Sequence, residues 1–127
     1  MGVRAPTEMA SEFAKRLNGR DKSGLLELYA EGALLTIDGS AVAHGKAEIE
    51  QVMAPFFDAP LRFVAQCSSC LQSGDTALVR TDWELVDPAG AVAMAGASAE
   101  VLQRQKDGLW RFVVDDATYA SRSAAGR

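Results

Sequence analysis

Met9, Phe13 and Leu17 recur every four residues and lay one apolar stripe along a helix. Thr7 is suited to cap that helix, Glu8 suits its first turn, and Asn18-Gly19 ends it. Residues 1–6 read as a loose lead-in. Asp21 is a good N-cap for a second helix carrying Leu25, Leu26, Leu28 and Tyr29, with Gly32 as its stop. The apolar run 33–37, the turn pair Asp38-Gly39 and the return 40–43 read as a small hairpin. Gly45 precedes a third helix whose buried face carries Ile49, Met53 and Phe56, with Val52 beside them. Pro55 lacks a backbone donor and should loosen its last turn.

Beyond Leu61 the period drops to two. Turn signals at Ser73-Gly74-Asp75, at 87–90 and at Lys106-Asp107-Gly108 divide the rest into four segments. These predict an antiparallel meander. In residues 77–86, Ala77, Val79, Thr81, Trp83 and Leu85 should face the core, and most of the alternate set should face water. Helices come first and strands follow, so the expected class is α+β rather than a doubly wound parallel sheet. One domain is expected over residues 7–117, followed by a small, polar tail at 118–127 that frays.

The chain has 127 residues, enough to bury a core without disulfides or metal. Its net charge is −4, with Lys and Arg scattered singly, which argues against a nucleic-acid partner. Apolar runs fall well short of the ~20 residues that span a bilayer. No basic stretch leads into an apolar one near the N-terminus, so the cytoplasm is the expected compartment and no membrane partner is expected. Cys67 and Cys70 have the C-x-x-C spacing of a redox pair or half a zinc site. They sit in a segment that reads extended, where residues three apart face opposite ways ~10 Å from each other. That excludes a disulfide, and no further cysteine pair completes a zinc site, so no metal and no cofactor are expected.

Several stretches, taken in order, resemble a known family. They are 17–21 (LNGRD), 28–33 (LYAEGA), 45–49 (GKAEI), 74–79 (GDTALV), Asp82-Trp83 and 107–116 (DGLWRFVVDD). Together they resemble SnoaL-like, ketosteroid isomerase-like proteins of the nuclear transport factor 2-like superfamily, over residues 7–117. The resemblance implies a cone of three N-terminal helices packed on a curved mixed or antiparallel sheet. It also implies a pocket between the two layers and a homodimer through the outer sheet face. Isomerases, cyclases and dehydratases share this fold, as do proteins without known activity. The steroid isomerases use a Tyr on the first helix, an Asp base and a protonated late-strand Asp. Those positions fall on Phe13, on Ile37 with Asp38 next to it, and on Glu100. Only the last has a plausible replacement, which argues against steroid-type isomerisation.

Glu100 is therefore the leading candidate for catalysis, as a pocket carboxyl with a raised pKa. A three-residue loop at 106–108 would set Leu102 opposite Phe112, Glu100 opposite Val114 and Ser98 opposite Asp116. A two-residue loop would instead set Asp115 opposite Glu100, and two carboxyls that close would share a proton. Of the Asp115-Asp116 pair, Asp116 is the one expected at the pocket, as the second catalytic carboxyl beside Glu100. Phe13, Leu17, Tyr29 and Ile37 are expected to contact a ligand. So are Met53, Phe56 and Phe57 as an apolar floor, together with Trp83 and Ser98. His44, the only histidine, reads as an exposed turn residue, with a general base near neutral pH as the alternative, and Asp38 reads as turn chemistry. The function these features suggest is a pocket for a small, apolar, cyclic molecule, with cofactor-independent isomerase, cyclase or dehydratase chemistry. The alternative is a non-catalytic ligand-binding or dimerisation module.

Overall fold

The computed structural model describes residues 2–125. A 3-10 turn at Pro6–Glu8 leads into α1, Met9–Asn18; Thr7 lies inside that turn and makes no side-chain cap. Asp21 does cap α2, Lys22–Glu27, its Oδ1 accepting from the Gly24 N–H at 3.0 Å.

The second helix is shorter than its apolar pattern predicts. Tyr29 starts a strand, β1 (Tyr29–Thr36), which pairs in parallel with β7 (Trp110–Asp116). Pairing with a distant part of the chain, Tyr29 with Phe112, outweighs the local helical period. Gly32, at φ 72°, sits inside this strand rather than ending a helix, in the span where the register slips between Tyr29 and Leu34. A two-residue strand, β2 (Ala43–His44), closes the predicted hairpin on β1, and α3 follows as Gly45–Asp58. Pro55 lies within α3 without ending it.

The meander comprises β3 (Arg62–Ser73), β4 (Thr76–Val86), β5 (Val92–Ala97), β6 (Ala99–Arg104) and β7. It has five strands instead of four because Ser98 divides the third segment. The register against β4 nonetheless runs on across the break, from Asp82↔Ala97 to Val79↔Glu100. The sheet order is β2-β1-β7-β6-β4-β3, with β5 also on β4. All pairs are antiparallel except β1–β7, so the curved sheet is mixed and the class is α+β.

β4 keeps the predicted alternation, with Ala77, Val79, Thr81, Trp83 and Leu85 buried. The core between helices and sheet is built on Met9, Leu25, Leu28, Ile49, Leu102, Trp110 and Phe112, each worth ~1.5–3 kcal/mol of burial. Phe57 also belongs to this core, where the Lys22 ammonium lies 5.8 Å from its ring centroid. The Asn18 side chain ties α1 to β3 through the Phe63 N–H and C=O, at 2.8 and 2.9 Å.

Both chain ends depart from expectation. Val3 is not loose: it is buried and bridges to Trp110, its carbonyl accepting the Trp110 N–H at 2.8 Å. The expected frayed tail contains a fourth helix, α4 (Tyr119–Ala125), while 126–127 lie outside the described residues. The cysteines depart as well. β3 carries a bulge between Cys67 and Ser69, so Cys67 pairs with Thr81 and Cys70 with Val79, both inward-facing positions. The extra residue, Ser68, puts both free thiols against the core instead of on opposite faces. Among the described residues no helix is long and apolar enough to cross a membrane.

Candidate functional site

The site is set by one irregularity between β6 and β7. The turn forms as a three-residue loop: the Gln105 N–H bonds the Leu109 carbonyl at 2.8 Å, and Gly108 takes φ 85°. Leu102 accordingly faces Phe112. The next pair, however, is Val101 with Val114, so Val113 is an extra residue on β7. Beyond this bulge Glu100 faces Asp115, and Ala99 faces Asp116. The two-carboxyl pairing therefore arises from a bulge, not from a shorter loop. Phe112 and Asp115 both point inward, and Val114 points out to solvent.

Asp116 consequently lies outside the site. Arg122 grips its carboxylate with two bonds of 3.0 and 2.8 Å, and the Asp116 Oδ1 also accepts the Thr118 N–H. Asp115 takes the inward position expected of Asp116. Its Oδ2 accepts the Tyr29 hydroxyl at 2.7 Å. Across the strand, Glu100 Oε2 accepts the Ser98 hydroxyl at 2.8 Å. Ser98 Oγ in turn accepts the Thr81 N–H at 3.0 Å, so the serine links Glu100 to β4. Among the described residues, Glu100 Oε1 and Thr81 Oγ1 are buried without a hydrogen-bond partner. The Thr81 hydroxyl lies near the carboxyl but does not complete a bond of normal geometry.

Burial, then the charge of Asp115, pushes the Glu100 carboxyl up to about 8. Burial pushes Asp115 up to about 6, against the Tyr29 hydrogen bond that holds it down and with the Asp116 charge adding to the rise. Burial and the neighbouring Asp115 raise the Tyr29 hydroxyl well above its usual range. The two acids titrate as a unit and hold one proton between them near neutral pH.

Above this pair lies a cavity of about 60 Å³. Phe13 and Leu17 of α1, Met53 and Phe56 of α3, and Tyr29 and Leu35 of β1 line it. Ile37, Phe63, Trp83, Ser98, Met94 and Ala117 complete most of the wall. The rings form a chain, with Phe13–Phe63 at 5.4 Å, Phe63–Trp83 at 5.8 Å and Tyr29–Phe112 at 4.7 Å between centroids. Trp83 is fixed by its Nε1–H on the Ala117 carbonyl at 2.7 Å, and its ring lies over Gly96, its cross-strand neighbour.

Of the residues expected at a ligand, Phe13, Leu17, Tyr29, Ile37, Met53, Phe56, Trp83, Ser98 and Glu100 come together around this cavity. Phe57 does not, because the helical turn after Phe56 carries it toward α2 and the core. Sequence reasoning did not put Asp115, Thr81, Phe63, Phe112 or Met94 at the ligand. Thr81 carried a usable signal, a polar residue on the inward set of β4. Asp38 stays in its turn, accepting the Ser40 and Ala41 N–H groups, which hold its carboxyl below the usual range. His44 is exposed and precedes α3, its N–H bonded to Glu48 at 2.8 Å. Among the described residues, no group of three or more metal-ligating side chains converges.

The SnoaL-like domain family matches residues 10–116 of this chain. Curated proteins give no match. Among solved structures, a ketosteroid isomerase-like protein from Erwinia carotovora atroseptica is 23% identical, with a TM-score of 0.69 over 93% of this chain and 96% of its own. A protein assigned as a calcium/calmodulin-dependent protein kinase type II association domain, from Thiobacillus denitrificans, is 18% identical, with a TM-score of 0.78 over 93% and 97%. A Catenulispora acidiphila protein solved in complex with S-DNPA is 15% identical, with a TM-score of 0.71 over 91% and 90%. At these identities the likeness is one of fold.

Proposed function

Because the chain belongs to the SnoaL-like domain family, within the nuclear transport factor 2-like superfamily, we propose that it binds a small, largely apolar cyclic molecule and moves a proton on it without a cofactor. The observation that carries this reading is the facing pair Glu100 and Asp115 at the floor of an apolar cavity. With one shared proton, Glu100 is the acid and Asp115 the base. Asp115 takes a proton from the substrate and Glu100 returns its own to another position, a net shift that suits isomerisation, cyclisation or dehydration. Such general acid–base transfer contributes about 10²–10⁴-fold in rate. Tyr29 and Ser98 hold the two carboxyls in place through the bonds described above. The fold it shares with a ketosteroid isomerase-like protein, and with a protein that holds S-DNPA, supports a pocket reading.

The cavity is smaller than the ~150 Å³ that admits benzene. A ring must therefore displace side chains, and Met53 and Met94 in the wall are the most adaptable. Trp83 reports the event: titration with neutral ring compounds should change its fluorescence, and Trp83→Phe should abolish the change. If no ring compound alters the emission of the intact protein, the pocket reading is wrong.

A second reading has its own observation. Leu71, Leu78, Val101 and Val114 are successive cross-strand partners on the outer sheet face, with Leu34 next in line. Leu71 is 71% exposed and Leu78 53%. This apolar row across five strands supports homodimerisation through the sheet.

A further inference from the structure

The cavity has a charge to be matched as well as a shape to be filled. Among the described residues it is lined by two carboxyls, Glu100 and Asp115, and by no lysine, arginine or histidine. Arg111 on β7 and Arg122 on α4 are paired elsewhere, with Asp107 and Asp116. Helices α1 and α3 present only apolar side chains to the space. From the strands, the titratable groups around the pair are Tyr29 on β1, Cys67 on β3 and Asp116 beside Asp115 on β7. None of them supplies positive charge. A buried negative charge with no counter-ion is costly unless a cation or a proton meets it.

The hydrogen-bond inventory points the same way. The Tyr29 and Ser98 hydroxyl protons are already committed to Asp115 and Glu100. Glu100 is only 6% exposed, and among the described residues its Oε1 has no partner; Thr81 Oγ1 beside it has none either. An ammonium group brings three donors and no acceptor. The walls suit it too, since the faces of Phe13, Phe63, Trp83, Tyr29 and Phe112 attract a cation at ~6 Å from a ring centroid.

We infer that the cavity receives the protonated amine of a small, otherwise apolar molecule, its nitrogen between Asp115 and the unpartnered Glu100 Oε1. This rests on the reading of the cavity as a ligand pocket and names the substrate class that pocket takes. Asp115 supplies the charge, Glu100 and Thr81 accept N–H bonds, and the rings surround the hydrocarbon body.

Benzylamine, benzyl alcohol and benzoate share a shape and differ in charge, and their binding to the whole chain is measured by calorimetry at about pH 5 and about pH 8. Benzylamine should bind about tenfold or more tighter than the alcohol at about pH 8, a difference of ~1.4 kcal/mol. Benzoate should not bind. The amine's advantage should shrink toward about pH 5, where protonation of the pair removes its charge, and amine binding should release protons. Asp115→Asn, checked for folding by its thermal melt, should lose the preference for the amine. If that variant fails to fold, the pH slope of the unmodified protein tests the same point. Alcohol binding as tight as amine binding, or amine affinity that falls as pH rises, overturns the inference and leaves the pocket reading intact. Failure of both the alcohol and the amine to bind overturns both.

Discussion

Glu100 stands directly opposite Asp115 although the turn between their strands begins in a register that would set Glu100 against Val114. The one-residue bulge at Val113 makes the difference, and two buried carboxyls come to share a floor. Most consequences that can be checked start from this pair.

Stability should fall as pH rises. Both carboxyls hold their protons more tightly in the folded chain, with values near 8 and 6, than in the unfolded chain, near about 4. The folded state is thus favoured in acid, and that contribution is lost as pH rises through about 6 and then about 8. The loss should amount to a few kcal/mol. Urea unfolding at several pH values measures it, and Glu100→Gln should flatten the profile across this window.

Tyr29→Phe removes the 2.7 Å bond to Asp115 and leaves a buried carboxylate without its donor. The variant should lose about 1–3 kcal/mol of stability. The carboxyl should also titrate at higher pH, since the bond it loses is the one that holds its pKa down. Carbon-detected NMR titration of the Asp115 side chain would register the rise. A fall would mean that the hydroxyl does not act on this acid.

Gly96 is the seat of Trp83, and a Cβ there would come within 2.7 Å of the indole ring. Gly96→Ala should push Trp83 off the Ala117 carbonyl and cost about 1–3 kcal/mol. Its emission should shift to the red. Unchanged emission would show that the ring has room to yield.

Leu78→Arg puts a charge in the middle of the outer apolar row. Sedimentation should find a dimer for the unmodified chain and a monomer for the variant, with equal thermal stability at the level of the single chain. A monomer in both cases would remove the sheet face as an association surface.

Much of the fold was legible because its signals are local. The four-residue stripe of α1, the cap at Asp21 and the alternation of β4 each depend on neighbours a few residues apart. What was not legible depends on distant partners. Tyr29 continues the helical period of Leu25 and Leu28, and only its pairing with β7 turns it into a strand residue. The same holds for the site. Asp115 and Asp116 are chemically identical neighbours, so composition cannot choose between them; only register does. The bulges at Val113 and Ser68 each reverse which residues face inward, and neither carries a Gly or Pro to announce it. The buried positions of Glu100 and Ser98 were legible because they lie on a segment whose register runs on unbroken against β4.

β3 is the last strand at its end of the sheet and, at 12 residues, the longest. On its outer row Asn18 occupies the Phe63 N–H and C=O, and the rest of that row would be a template for a foreign strand to join. The extra residue at Ser68 breaks that row near its middle. An incoming strand can match the groups before the break or those after it, but not both in one continuous ladder. The same irregularity that turns two thiols inward thus makes fibre growth along this border unfavourable.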